Sequence, residues 1–263
     1  MSLTSTPGAA CPMAVLMLTP DGHVRRSTVP TPSPGVDEVL VEVHAAGLDL
    51  EAPDAGSGLR LTGFAGRVAG FGGGDGEGRF VVGQPVYGIS AVDRPEPPAE
   101  YVVVPSTSIA GRPTSVSDAT ASSVPAAALT AWSALGRLGR VGPGDAIVLE
   151  AAAGDDWVRY AVQFAALLGA TVIVDASDPV AEDLQRSGAA LIATGATRPS
   201  PCHVLTGPGT VPAAPEPELT LVAGLIDDGR IEVRAPWSVA VADAAGSPLQ
   251  VAGAETLPVV RFR

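Results

Sequence analysis

The chain has 263 residues, 28 acidic and 16 basic, for a formal net charge of −12. Every basic residue is arginine and the densest basic stretch is the pair Arg25-Arg26, which argues against a nucleic-acid partner, since a polyanion is held by clustered cations. No run approaches the ~18 apolar residues of a membrane span, whereas a hydrophobic fraction of 46% is ample for the core of one large domain or two smaller ones.

Residues 1–12 read as a loose leader. Ala14 to Leu18 and Val24 to Val29 are short strands, with Asp21-Gly22 between them as a hairpin signal. A Pro-rich turn, Thr31 to Gly35, follows. Glu38 to His44 alternates polar and apolar residues, the period of a half-buried strand. Ala65 to Phe71 and Arg79 to Val86 are read as strands on either side of the glycine-rich Gly72 to Gly78, and Glu100 to Val104 as another. Short strands joined by Gly/Pro turns predict an all-β barrel or sandwich for the first hundred residues.

The pattern changes near residue 115. Ser117 to Leu138 is Ala-rich and helical, capped by Ser117 or Asp118, with Pro125 expected to break it in two. Asp145 to Glu150 is a continuous apolar strand of the buried, parallel type. The amphipathic helix Asp155 to Leu168 stops at Gly169, and Ala170 to Asp175 is a second buried strand. Val180 to Ser187 is a short helix and Ala189 to Thr194 a third strand. This β-α-β-α-β order is half of a doubly wound fold. A Pro- and Gly-rich stretch follows, with one candidate strand at His203 to Thr206. Leu219 to Ile226 is a helix closed by Asp227-Asp228-Gly229, and Ile231 to Val241 and Leu257 to Phe262 read as strands.

Cys11 and Cys202 are too few and too far apart for a tetrahedral zinc site and read as free thiols of a reducing compartment. The N-terminus has neither a basic n-region nor a compact apolar h-region. The expectation is a soluble cytoplasmic protein without a metal.

Several stretches together resemble the medium-chain dehydrogenase/reductase superfamily, in its zinc-independent quinone- and enoyl-reductase branch. They are Pro34 to Asp49 (PGVDEVLVEVHAAGLD), Val82 to Gly88 (VGQPVYG), Ala99 to Pro105 (AEYVVVP), Leu129 to Trp132 (LTAW), Val141 to Asp145 (VGPGD), and Ala161 to Ala165 with Leu168 to Ala170. The resemblance runs, with gaps, from about residue 13 to the C-terminus. It implies an α/β fold: a GroES-like β-barrel domain over residues 1–115, completed by 230–263, and a truncated Rossmann-like doubly wound domain over 116–229. It also implies a cleft between the two, and homodimerisation through sheet edges, which a shortened sheet puts in question. The zinc motif of the other branch is missing; the lone His44 has no Cys or Glu at ligand spacing.

The departures from the family carry the functional reading. Between first strand and helix the family places a glycine-rich loop, whose backbone approaches a pyrophosphate at the helix N-terminus. Here the segment reads Glu150-Ala151-Ala152-Ala153-Gly154-Asp155-Asp156-Trp157. Gly154 alone matches. Asp155 and Asp156 suit the positive end of the helix dipole themselves, and would repel a phosphate; Trp157 would fill the groove. Asp175, at the end of the second strand, would accept the ribose hydroxyls of NAD in a working fold; a turn or cap aspartate is the plainer reading. At about 30 residues per βαβ unit, roughly two units are missing after Thr194.

These features predict loss of the nicotinamide cofactor, with NADH or NADPH as the alternative. The expected ligand is a small apolar molecule in the cleft. Asp49, Glu51 and Tyr87 are the candidate catalytic residues: a carboxylate in a partly apolar cleft can serve as general acid or base, and a tyrosine can donate to a carbonyl. His44, Thr130, Trp132 and Trp157 are candidate substrate contacts, and Gly154 and Asp175 cofactor contacts only if a nucleotide is retained. Three functions follow. The first is a cofactor-independent cyclase or isomerase acting on an apolar intermediate, of polyketide type by the enoyl-reductase resemblance and the GC-rich coding that the arginine bias suggests. The second is a divergent NAD(P)H-dependent quinone or enoyl reductase. The third is a non-catalytic binding subunit.

Overall fold

The structure, a computed structural model, describes residues 11–19, 23–50, 59–74, 76–90, 96–149, 156–175, 181–192, 200–244 and 259–262. Strands β1 (Pro12–Leu18) and β2 (Val24–Pro30) form an antiparallel ribbon, in register from Pro12↔Pro30 to Leu18↔Val24. The Asp21-Gly22 turn lies outside the described residues. The barrel sheet is built around β3 (Glu38–Leu50) and β4 (Leu59–Phe71), antiparallel partners along their length. The short helix α1 (Gly76–Arg79) precedes β5 (Pro85–Gly88), which pairs with β4. β6 (Tyr101–Pro105) pairs with the first half of β3, and β7 (Ile109–Gly111) pairs with β5.

Two expectations fail here for physical reasons. Arg79 to Val86 is not one strand: its first residue closes α1 and only Pro85 onward enters the sheet, because Gly83 turns the chain with φ +85°. His44 does not end its strand. β3 continues to Leu50 across an irregularity between Val43 and Ala45, which leaves His44 as the extra residue of a bulge.

The long helix α2 (Asp118–Gly136) joins the two units. Ser117 is its cap, its hydroxyl accepting the Thr120 N–H at 3.2 Å. Pro125 sits inside α2 without breaking it. The helix survives because its flank is seated on the barrel at two glycines that face each other, Gly47 on β3 and Gly63 on β4. A Cβ on Gly63 would fall 2.6 Å from the Ser122 carbonyl oxygen and 3.4 Å from Pro125 Cδ. Tertiary packing thereby outweighs the hydrogen bond that the proline removes.

The second unit is a four-stranded parallel sheet of β8 (Ala146–Leu149), β9 (Thr171–Asp175), β10 (Ala190–Ile192) and β11 (His203–Leu205). Their order across the sheet is β10-β9-β8-β11. The candidate strand at His203 is therefore a fourth parallel strand, on the far side of β8, and the strand order reverses between β8 and β11. Helices α3 (Asp156–Leu167) and α4 (Ala181–Arg186) follow β8 and β9.

Helix α5 (Glu216–Asp227) comes after β11 in sequence but is tied to the barrel at both ends and the middle. Arg79 pairs with Glu216 at 2.5 Å, Tyr87 donates to the Leu219 carbonyl at 2.6 Å, and Asp227 accepts the Thr114 and Ser115 N–H groups at 3.0 and 2.9 Å. Beyond α5 the chain returns to the barrel. Ile231 to Val241 is not one strand: the segment 230–237 crosses α3, and only β12 (Ser238–Ala240) is ladder, followed by the short helix α6 (Val241–Ala244). β12 pairs with β13 (Val259–Arg261), which pairs with β3. One buried core fills the barrel around Phe64, Leu48 and Val86. A second runs from the parallel sheet through α2, α3 and α5 to Ala65, Tyr87 and Ala110 of the barrel, so the two units share it. Among the described residues no helix is long and apolar enough to cross a membrane.

Candidate functional site

In an open parallel sheet, ligands bind beyond the carboxyl ends of the strands where the strand order reverses. Here that place is the end of β8 next to β11. The first turn of α3 begins there with Asp156. The residues facing that turn are Ser123 of α2 and Arg234 and Pro236 of the returning segment, together with Arg159 and Tyr160 of α3 itself. They line a partly open hollow of about 20 Å³. Burial raises the Tyr160 hydroxyl above its ordinary range, and the Asp156 carboxylate raises it further.

The returning segment is fastened to α3 by a side-chain amide. Gln163, 8% exposed, accepts the Glu232 N–H at 2.7 Å and donates to the Glu232 carbonyl at 3.2 Å. Ile231 is buried beside it and Val233 packs on the shared core. Arg234 then reaches Asp183 of α4, which Arg159 of α3 also pairs. Sequence reading missed Gln163, Asp183, Arg159 and Arg234 as a group. The one signal is the alternation Ile231-Glu232-Val233-Arg234, whose period is that of a strand.

The residues expected at the cleft fall into several places. Tyr87 lies in the shared core with no exposure, and burial, then nearby Tyr160, pushes its hydroxyl above the usual phenol range. Its hydrogen bond to Leu219 uses its proton internally. Trp157 is buried in the same core, and Trp132 packs at its edge, 5.3 Å from Phe164 at an interplanar angle of 86°. The Thr130 carbonyl accepts the Gly209 N–H at 3.2 Å, which lays the segment after β11 back on α2. His44 stands apart from these. Its Nδ1 is 2.9 Å from Asp118 Oδ2, and Arg112 Nε is 2.9 Å from Asp118 Oδ1, so a His–Asp–Arg chain links the β3 bulge to the start of α2. Asp49 pairs through its backbone with Arg60, and Asp175 with Ile192; their side chains, and Glu51 and Gly154 entirely, lie outside the described residues. Among the described residues no three His, Cys, Asp or Glu side chains converge in a way that could hold a metal ion.

A separate crevice of about 450 Å³ lies on the barrel flank, with Leu40, Val43, Tyr101 and Phe262 in its walls beside the carboxylates of Glu42 and Glu100.

No protein-family model matches the chain, and no curated protein matches it. Solved structures do. The quinone oxidoreductase of Coxiella burnetii superposes with a TM-score of 0.73 at 17% identity, covering 96% of this chain and 100% of that one. A putative zinc-dependent alcohol dehydrogenase of Rhizobium etli gives 0.74 at 18%, covering 96% and 99%. A thermostable alcohol dehydrogenase of Pyrobaculum aerophilum, solved with cobalt and zinc, gives 0.72 at 20%, covering 95% and 100%. The chain shares its fold with these solved structures.

Proposed function

We propose that this chain uses the medium-chain dehydrogenase/reductase fold for a non-redox step, a cyclisation or isomerisation of a small apolar intermediate, without a nicotinamide cofactor. The observation that carries the reading is the first turn of α3. Where this fold would set a pyrophosphate, the chain has its own carboxylate, Asp156, faced by Ser123, Arg234 and Pro236 across about 20 Å³. That carboxylate already complements the helix dipole and would repel a diphosphate there, which supports the reading.

The apolar intermediate would bind between the barrel and the parallel sheet, the usual place for a pocket on a two-unit fold. Its catalysis would rest on holding one reactive conformer, which alone can lower a barrier by several kcal/mol. Tyr87, committed to Leu219, is assigned to the scaffold in this reading, which leaves Asp49, Glu51 and the Asp118-oriented His44 as the groups to carry a proton.

A divergent NAD(P)H-dependent reductase is the second reading. The retained strand reversal between β8 and β11 favours it, as does Asp175 at the end of β9. Calorimetry with NADH and NADPH decides between them. No heat of binding at millimolar nucleotide is expected; saturable micromolar binding overturns the non-redox reading.

A further inference from the structure

Tyr160 of α3 is 6% exposed, yet among the described residues its hydroxyl makes no hydrogen bond. A buried tyrosine usually finds a partner for that group. Tyr87, buried in the same core, does so through the Leu219 carbonyl. Tyr160 lies one turn along α3 from Asp156, on the same helix face. The two line the hollow at the end of β8, where the strand order reverses. That is the end of a parallel sheet at which ligands bind. The ring packs on Phe164 with centroids 6.2 Å apart, which fixes where the hydroxyl sits.

The surroundings select what this hydroxyl can meet. Burial, and then the Asp156 carboxylate, raises it above the ordinary phenol range, so it stays protonated and acts as a donor. The Ser123 hydroxyl spends its own proton on the Thr120 carbonyl at 2.9 Å. Arg159 and Arg234 are engaged by Asp183. Asp156 in the same wall disfavours an anionic group by like charge. A neutral donor beside a carboxylate suits a neutral oxygen acceptor. The hollow is small and partly open, so the oxygen end of a molecule enters it while the body stays outside.

We propose that the Tyr160 hydroxyl donates a hydrogen bond to a carbonyl oxygen of the substrate, which is a ketone. This rests on the non-redox reading above and names the functional group on which that step acts. In an isomerisation, a base takes a proton from the carbon next to the carbonyl and the electron pair moves onto the oxygen as the enolate forms. The proton then returns at another carbon. No oxidant or reductant is consumed. Tyr160 keeps its own proton throughout, and its bond strengthens as charge gathers on the oxygen, which is where a fixed donor contributes most.

Acetophenone, isotopically labelled at its carbonyl carbon, is the probe, titrated into the protein and followed by carbon NMR. The expected result is saturable binding with the bound carbonyl line shifted downfield, the mark of a hydrogen-bonded oxygen. Tyr160→Phe keeps the ring and breaks no bond among the described residues, so its unliganded Tm should stay close to that of the wild type. It is expected to lose the downfield shift and to weaken binding about tenfold. Absence of wild-type binding at millimolar ketone, or a bound line at its position in apolar solvent, overturns the proposal without need of the variant. A shift unchanged by Tyr160→Phe also overturns it, since another donor or a water then meets the oxygen. NADH and NADPH separate this from the reading it rests on. Micromolar nucleotide binding beside a Tyr160-dependent carbonyl shift overturns the non-redox reading and upholds Tyr160 as the donor. Neither nucleotide binding nor a Tyr160-dependent shift leaves the non-redox reading standing and removes Tyr160 from it.

Discussion

The Tyr87 hydroxyl donates to the Leu219 carbonyl at 2.6 Å, joining the barrel strand β5 to helix α5 in the middle of a core without solvent. The tyrosine that sequence placed at a cleft thus works as a rivet between the units. Tyr87→Phe keeps the ring and strands the Leu219 carbonyl. A buried acceptor left unsatisfied costs about 1–3 kcal/mol. Urea unfolding is expected to show a loss in that range, with the folded spectrum unchanged; a loss below about 0.5 kcal/mol would mean that the bond contributes little to the joint.

Helix α2 depends on the absence of side chains at Gly47 and Gly63. A Cβ at position 63 would meet the Ser122 carbonyl at 2.6 Å, a distance that real contacts do not reach; at position 47 the nearest atoms are Thr62 Oγ1 at 3.0 Å and the Ser122 oxygen at 3.2 Å. Replacing glycine by alanine in an unstrained site gains about 0.4–1 kcal/mol through the unfolded chain. Overpacking costs about 1–3 kcal/mol, so at Gly63 the clash wins. Gly63→Ala is expected to lower Tm clearly and Gly47→Ala much less. Equal effects would refute the idea that Ser122 sets the approach of α2.

How much of this was legible follows from where each hydrogen bond goes. The parallel strands β8 and β9 announce themselves because burial on both faces demands continuous apolar runs. β11 has only three residues and ends next to Gly207 and Pro208, so its pattern was faint. Pro125 reads as a break because sequence shows the lost N–H and not the glycine seat that compensates it. The segment after α5 has the alternation of a strand, but its partner is the side chain of Gln163, and no sequence period encodes a side chain standing in for a strand edge. Asp49 illustrates a different boundary: its backbone register is fixed, and the chemistry expected of it rests on the resemblance alone.

The Gln163 amide should decide whether residues 230–236 stay on α3. Gln163→Leu keeps the size and removes both bonds to Glu232, leaving its N–H and carbonyl facing an apolar group. The cost is about 1–3 kcal/mol, concentrated in the segment. Hydrogen exchange by mass spectrometry is expected to show faster exchange in residues 230–237 than in the wild type, while α5 keeps its protection. Unchanged exchange there would show that Ile231 and the Arg234–Asp183 pair hold the segment without the amide.

Asp227 gives a pH dependence with a defined sign. The Thr114 backbone N–H, first among its causes, and the Ser115 N–H and Thr114 hydroxyl hold its carboxyl at about 2, below the usual 3.8. The folded pKa is depressed, so the contribution is present in full above the unfolded value. It is lost as pH falls from about 4 to about 2. The group is exposed, and solvent screening reduces its worth to about 1 kcal/mol. Asp227→Asn should therefore lower stability at pH 7 by about that amount and lessen the difference from wild type at pH 2–3, where the native carboxyl is also becoming neutral. Thermal unfolding of both proteins across pH 2–7 tests this. A gap that stays constant over the whole range would assign the effect to packing at the end of α5 instead of to the charge that ties it to the Thr114-Ser115 backbone.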